Sequence, residues 1–249
     1  MRLQREKLHP ILTPLIAAVV LLAVVAPTQA AFINLTPTSG VNSNTSVPLS
    51  DLVSGATTGV TVGDKIFSGF NYSFIGDMPT ANNVQVLGFK DMDGNWGISF
   101  HGTFLDLPGG SASDALIRFN VDIDPASLRT GFRISDAHLF MNGYGVGSDS
   151  VFTVDESFME SNQHLNTFIS TINGGGVKSS DSTLFVPPLT TLHVTKDILA
   201  LAAQNAILPA RATAIDQSFS QIIVPEPAVA MLGLCGVFGL GLWRRSERG

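Results

Sequence analysis

Asp122 and Asp124 stand two residues apart at the end of an alternating segment. On a strand both carboxylates would share one face and could in principle serve as a pair for acid–base chemistry. Pro125 follows at once and favours a plainer role, solvating a strand end. Asp91-Met92-Asp93-Gly94-Asn95 offers oxygen ligands at alternate positions. Its sixth residue is Trp96 and its twelfth is Gly102, so an EF-hand is excluded, leaving a looser calcium site on a turn, or a turn alone. His101, His138, His164 and His193 are isolated, with no HExxH and no CxxC, and read as strand or loop residues. Gly109-Gly110-Ser111-Ala112-Ser113 lacks the last glycine of a nucleophile elbow, and no glycine-rich stretch joins a strand to a helix as a phosphate cradle does. No catalytic, metal or cofactor constellation is therefore expected. Trp96, Tyr72 and Tyr144 remain, either as platforms for stacking on sugar rings or as core aromatics.

The elements that would position these groups are strands. Ile66, Phe70, Tyr72 and Phe74 mark a strand over Asp64–Ile75. Val84, Val86 and Gly88 alternate with Gln85, Leu87 and Phe89 in the next, and another begins at Trp96. Asp93-Gly94 between them is a hairpin signal, because glycine tolerates positive φ. Further strands are expected over Leu116–Ile123, Phe132–Met141 and Val151–Val154. Two short ones, Leu184–Val186 and Leu192–Val194, are expected to be split by Pro187-Pro188, and a last one covers Ala214–Val224. Asp197–Ala206 has helix-favouring composition with Asp197 as a cap, or is a strand pair. Residues 31–59, rich in Ser, Thr, Asn, Pro and Gly, read as a loose leader or an edge segment. Turn signals every 8 to 12 residues predict a mainly β fold over 60–223, a β-sandwich of jelly-roll-like form.

Both ends of the chain carry targeting patterns. Arg2, Arg5 and Lys7 precede an apolar run over Ile11–Ala26, and Thr28 and Ala30 are small residues at the positions a signal peptidase reads, so 1–30 is expected to be a signal peptide cleaved after Ala30. The last 26 residues, 224–249, begin with Val224-Pro225-Glu226-Pro227, whose prolines enforce an extended segment. The 16 apolar residues 228–243 follow, about 24 Å as a helix against a hydrocarbon core of about 30 Å, a marginal transmembrane span. Arg244, Arg245 and Arg248 then favour a cytoplasmic end.

This order of segments resembles the PEP-CTERM sorting signal, a module also labelled the C-terminal domain of ice-binding proteins. The resemblance covers only 224–249. It implies that an exosortase, a membrane-embedded cysteine transpeptidase, recognises the sorting signal, with Pro225, Glu226, Pro227, Arg244 and Arg245 as its recognition residues, and removes the tail. The cargo then reaches the cell surface or the medium.

Setting aside Arg2, Arg5, Lys7, Arg244, Arg245 and Arg248, and Glu6, Glu226 and Glu247, leaves 8 basic against 17 acidic residues, a body charge near −9. Such a body repels nucleic acid and anionic membranes. The single cysteine, Cys235, lies in the tail, so the body has no disulfide. Three function classes follow: a non-enzymatic exported protein of the exopolysaccharide matrix, which the resemblance favours; a carbohydrate-binding module; or a secreted enzyme with an unfamiliar site.

Overall fold

Two-residue alternation governs most of the described residues, and in the computed structural model it yields two β-sheets packed face to face. The structure describes residues 33–36 and 42–224. Ala30, Pro225-Glu226-Pro227, the apolar run 228–243, Arg244 and Arg245 lie outside the described residues. Among the described residues no helix is long and apolar enough to cross a membrane. In chain order the elements are β1 (Ile33–Asn34), β2 (Asn42–Pro48), α1 (Leu49–Ser54), β3 (Gly59–Val62), β4 (Lys65–Ile75), β5 (Gln85–Lys90), β6 (Trp96–Asp106) and β7 (Ser113–Ile123). Next come α2 (Pro125–Arg129), β8 (Phe132–Asn142), β9 (Val151–Phe158), β10 (His164–Ser170), β11 (Gly176–Lys178), β12 (Ser180–Leu189), β13 (Thr191–Leu201), β14 (Ala210–Phe219) and β15 (Gln221–Ile223).

An eight-stranded sheet has the order β1-β3-β4-β7-β13-β9-β10-β11. A seven-stranded sheet runs β12-β8-β14-β6-β5-β2, with β15 also paired to β8. Apart from the parallel β1–β3 contact, neighbouring strands are antiparallel. Phe119 of the first sheet packs on Phe67, on Phe70 and, across the interface, on Phe100 of the second, at ring separations of 6.3, 5.6 and 5.7 Å. Each such ring, once buried, contributes about 1.5–3 kcal/mol. Phe67 also meets Phe219 at 6.1 Å, so one aromatic cluster fastens the sheets.

The β5–β6 hairpin turns at Asp93-Gly94 with Gly94 at φ +92°. β7 ends at Ile123, just before Asp124-Pro125 as the proline predicts, and Asp124 then caps α2, a short helix absent from the sequence-based expectations. Asp197–Leu201 is not helical: it continues β13, and Leu192, Val194, Ile198 and Ala200 all face the core while Asp197 points out. Burial of every second side chain outweighs a helix propensity worth only tenths of a kcal/mol per residue. Pro187-Pro188 does not split two strands but lies inside β12, at the sheet edge, where the pairing with β8 is irregular between Leu184 and Leu189. Within 31–59, the edge reading describes 42–54: β2 is an edge strand, and Leu35, Val47, Leu49 and Leu52 are buried in the core, so this stretch is not a loose leader.

Candidate functional site

The outer face of the seven-stranded sheet carries an unusual load of polar groups. Alternation turns Ile215, Gln217 and Phe219 of β14 inward and leaves Asp216 and Ser218 outward. Register then sets Ser99 of β6 and Phe140 of β8 on either side of Asp216, and Phe89 of β5 beside Asn42 of β2. Asn42, Phe89, Asp91, Phe140, Asn142 and Asp216, with the exposed Met92 and Asp93 at the rim, line a cleft of about 390 Å³. That size falls within the range of about 300–1,000 Å³ usual for small-ligand sites.

Like Asp91 at the turn, Asp216 on β14 is buried. Ser99 Oγ and Asn142 Nδ2 each donate to one of its oxygens. Burial pushes its carboxyl above the ordinary carboxylate range, and the donors only partly offset this. Asn42 Nδ2 donates to His101 Nε2 at 2.7 Å, while its amide oxygen is buried without a hydrogen-bond partner. Phe89 and Phe140 meet edge to face at 6.0 Å, and His138 stacks on Phe140 at 6.4 Å. The cleft thus combines half-buried aromatic rings with carboxylate and amide groups that retain open hydrogen-bonding capacity.

The turn aspartate that suggested calcium is occupied otherwise. Asp91 Oδ1 accepts from the backbone N–H groups of Asp93 and Asn95, and Oδ2 accepts from Asn95 Nδ2 and from Ser218 Oγ at 2.6 Å. Burial works against this carboxylate, but those donors outweigh it and hold it below the usual range. Among the described residues no three His, Cys, Asp or Glu side chains are placed to hold a metal ion. Asp122 accepts from Thr191 Oγ1 and Asp124 caps α2, so the two act separately in the fold. His138 Nε2 donates to Asp136 Oδ1 at 3.0 Å, and Ser220 Oγ lies 3.3 Å from the same nitrogen. With serine and aspartate on one ring nitrogen, the imidazole cannot pass a proton between them as a hydrolase triad does.

The three aromatics named from sequence are not brought together. Trp96 shares the inward face of β6 with Ile98 and Phe100, lies against Gly63, where any Cβ would come within 2.4 Å of the ring, and is covered by Lys90 Nζ at 4.3 Å. Tyr72, on β4 of the other sheet, stacks on Phe74 at 5.7 Å and donates its hydroxyl to Pro79 O at 2.6 Å; burial raises its phenol well above its ordinary range. Tyr144 is exposed in the loop after β8, next to the Gly145–Arg211 bridge. The rings that flank the cleft are Phe89 and Phe140. The signal that could have found them is their place among Gln85, Leu87, His138 and Asn142, on the solvent side of the alternation.

No family model matches the chain, and no curated protein does. Several solved structures resemble parts of it, three carbohydrate-binding modules among them. The first is TmCBM61 in complex with β-1,4-galactotriose, at 9% identity and TM-score 0.30 over 61% of this chain and 88% of that one. The second comes from the promiscuously specific carbohydrate-binding modules of the β-sandwich superfamily, at 12% identity and TM-score 0.26 over 62% and 57%. The third is the mannan-recognising module TmCBM27, at 10% identity and TM-score 0.28 over 73% and 95%. Such loose superpositions leave the functional argument to the chain's own cleft.

Proposed function

We propose that this chain is an exported, non-enzymatic protein of the cell surface or exopolysaccharide matrix whose sandwich binds a neutral saccharide in the cleft between Phe89, Phe140 and Asp216. The observation that carries this is the pairing of half-buried rings with the unsatisfied amide oxygen of Asn42 and the buried carboxylate of Asp216 at one place on the sheet face. A pyranose has the complementary surface: C–H faces that lie on aromatic rings, and hydroxyls that both donate and accept. Asp216 keeps acceptor capacity beyond its two donors, and the Asn42 oxygen is an acceptor with nothing to accept. The body charge near −9 disfavours acidic polysaccharides and nucleic acid. Export rests on the signal-peptide pattern ending at Ala30. Sorting rests on the resemblance at Pro225, Glu226 and Pro227, with Arg244 and Arg245 beyond the apolar run; on that reading an exosortase and the inner membrane are transient partners.

Both sheets and the aromatic core lie within 33–224, so a fragment spanning 31–224 carries its own core. On an array of neutral and acidic glycans, this fragment is expected to bind neutral oligosaccharides. Phe140→Ala and Asp216→Asn should each weaken binding by about tenfold or more, as loss of about 1.4 kcal/mol implies, while Tyr144→Ala changes it little. Binding that survives both cleft substitutions, or that selects acidic glycans, would sink the proposal.

A further inference from the structure

Lys196, Glu156 and Gln217 meet in the interior between the sheets. Register sets Lys196 of β13 directly opposite Glu156 of β9, and Gln217 reaches them from β14 of the other sheet. Lys196 Nζ contacts both Glu156 Oε2 and Gln217 Oε1. Lys196 and Gln217 are fully buried and Glu156 is 2% exposed. The second oxygen of Glu156 and the amide nitrogen of Gln217 have no hydrogen-bond partner. Left as a salt bridge, this cluster is a poor use of the core, because desolvating two charges offsets most of their attraction and two polar atoms stay unsatisfied.

The chemistry of the three groups suggests another use. Burial pulls the Lys196 amine below its ordinary range and pushes the Glu156 carboxyl above its own, each only partly opposed by the other's charge. Both shifts favour the uncharged forms. An uncharged amine is a nucleophile, a carboxamide is an acyl donor, and an uncharged carboxylic acid can pass a proton to a departing nitrogen. Held in contact, such groups react as parts of one molecule, which removes most of the entropic barrier to amide exchange.

We propose that Lys196 and Gln217 form an intramolecular isopeptide bond across the two sheets, with Glu156 as the proton carrier. The Lys196 nitrogen attacks Cδ of Gln217, and the Nζ–Cδ bond forms. Glu156 takes a proton from Nζ and delivers one to the Gln217 amide nitrogen, the Cδ–Nε2 bond breaks, and ammonia leaves. Glu156 returns to its starting state and nothing is oxidised or reduced. The bond ties β13 to β14 in a body that contains no cysteine, where a disulfide could not serve.

The test is the mass of the full chain after denaturation and desalting, with peptide mapping of the digest. The expected result is a protein lighter by one ammonia and a branched peptide joining Lys196 to Gln217. Glu156→Gln and Lys196→Arg are each expected to restore the full mass and the two linear peptides. Should either variant fail to fold, the wild-type map still decides. Linear peptides carrying unmodified Lys196 and Gln217 from the folded wild type would overturn the proposal. So would loss of water with Lys196 joined to Glu156.

Discussion

At the scale of single residues, the outer sheet face is a set of carboxylates whose neighbours tune them in opposite directions. Asp216 is pushed up by burial, whereas Asp91 and Asp136 are held down because donors outweigh burial. His138 is raised above its usual 6.5, first by its hydrogen bond to Asp136, and Asp136 is lowered from 3.8. The signs define a window. The histidine's contribution is complete below pH 6.5 and fades as pH rises through its raised value; the aspartate's is complete above pH 3.8 and fades as pH falls through its depressed value. His138→Gln is therefore expected to lower Tm most between these two limits, by an amount corresponding to about 1 kcal/mol for a partly exposed pair, with the gap closing above neutrality. Thermal melts of both proteins from pH 4 to pH 9 check this, and a pH-independent gap would refute it.

At the scale of elements, capping and alternation set what each segment becomes. Asp124 accepts from the N–H groups of Ala126 and Ser127, at 2.9 Å for the nearer, and Pro125 occupies the first turn of α2. Asp124→Ala is expected to cost about 1 kcal/mol in urea unfolding and to speed amide exchange within 126–131 before the sheets respond. An unchanged unfolding midpoint would show that the cap is idle. The strands β4, β5, β6, β7 and β8 were readable because their apolar residues recur every second position against polar partners. α2 was not, since five residues give too short a pattern, although Asp124-Pro125 is a cap followed by a proline at the first helical position. Over Asp197–Ala206 the sequence leaves helix and strand pair open, because Leu and Ala favour helix locally, and the structure makes Asp197–Leu201 part of β13. Its neighbours β7 and β9 impose the strand by pairing with it on both sides.

At the scale of the whole molecule, a folded body lies between terminal segments for which an address role is proposed from their sequence patterns alone. If the tail acts as proposed, intact-mass analysis of secreted and surface fractions should find products that have lost Ala30 and everything before it and that end near Pro227. Deleting 225–249 should abolish the surface-retained form. A full-length tail on every molecule would instead mean a permanent anchor. By itself, the sequence determined the β class, the hairpin at Gly94 and the lack of EF-hand, HExxH and nucleophile-elbow patterns, because alternation, turn residues and ligand spacing are local properties of neighbouring positions. Only the tertiary structure decided that Phe89, Phe140, Asp216 and Asn42 share a cleft, that Trp96 faces inward, and that Lys196, Glu156 and Gln217 converge between the sheets. Those groups lie up to 174 positions apart along the chain, from Asn42 to Asp216. What joins them is the register of β2, β5, β6, β14 and β8 and the stacking of one sheet on the other, which arise from summed burial over the core and leave no mark at any single residue.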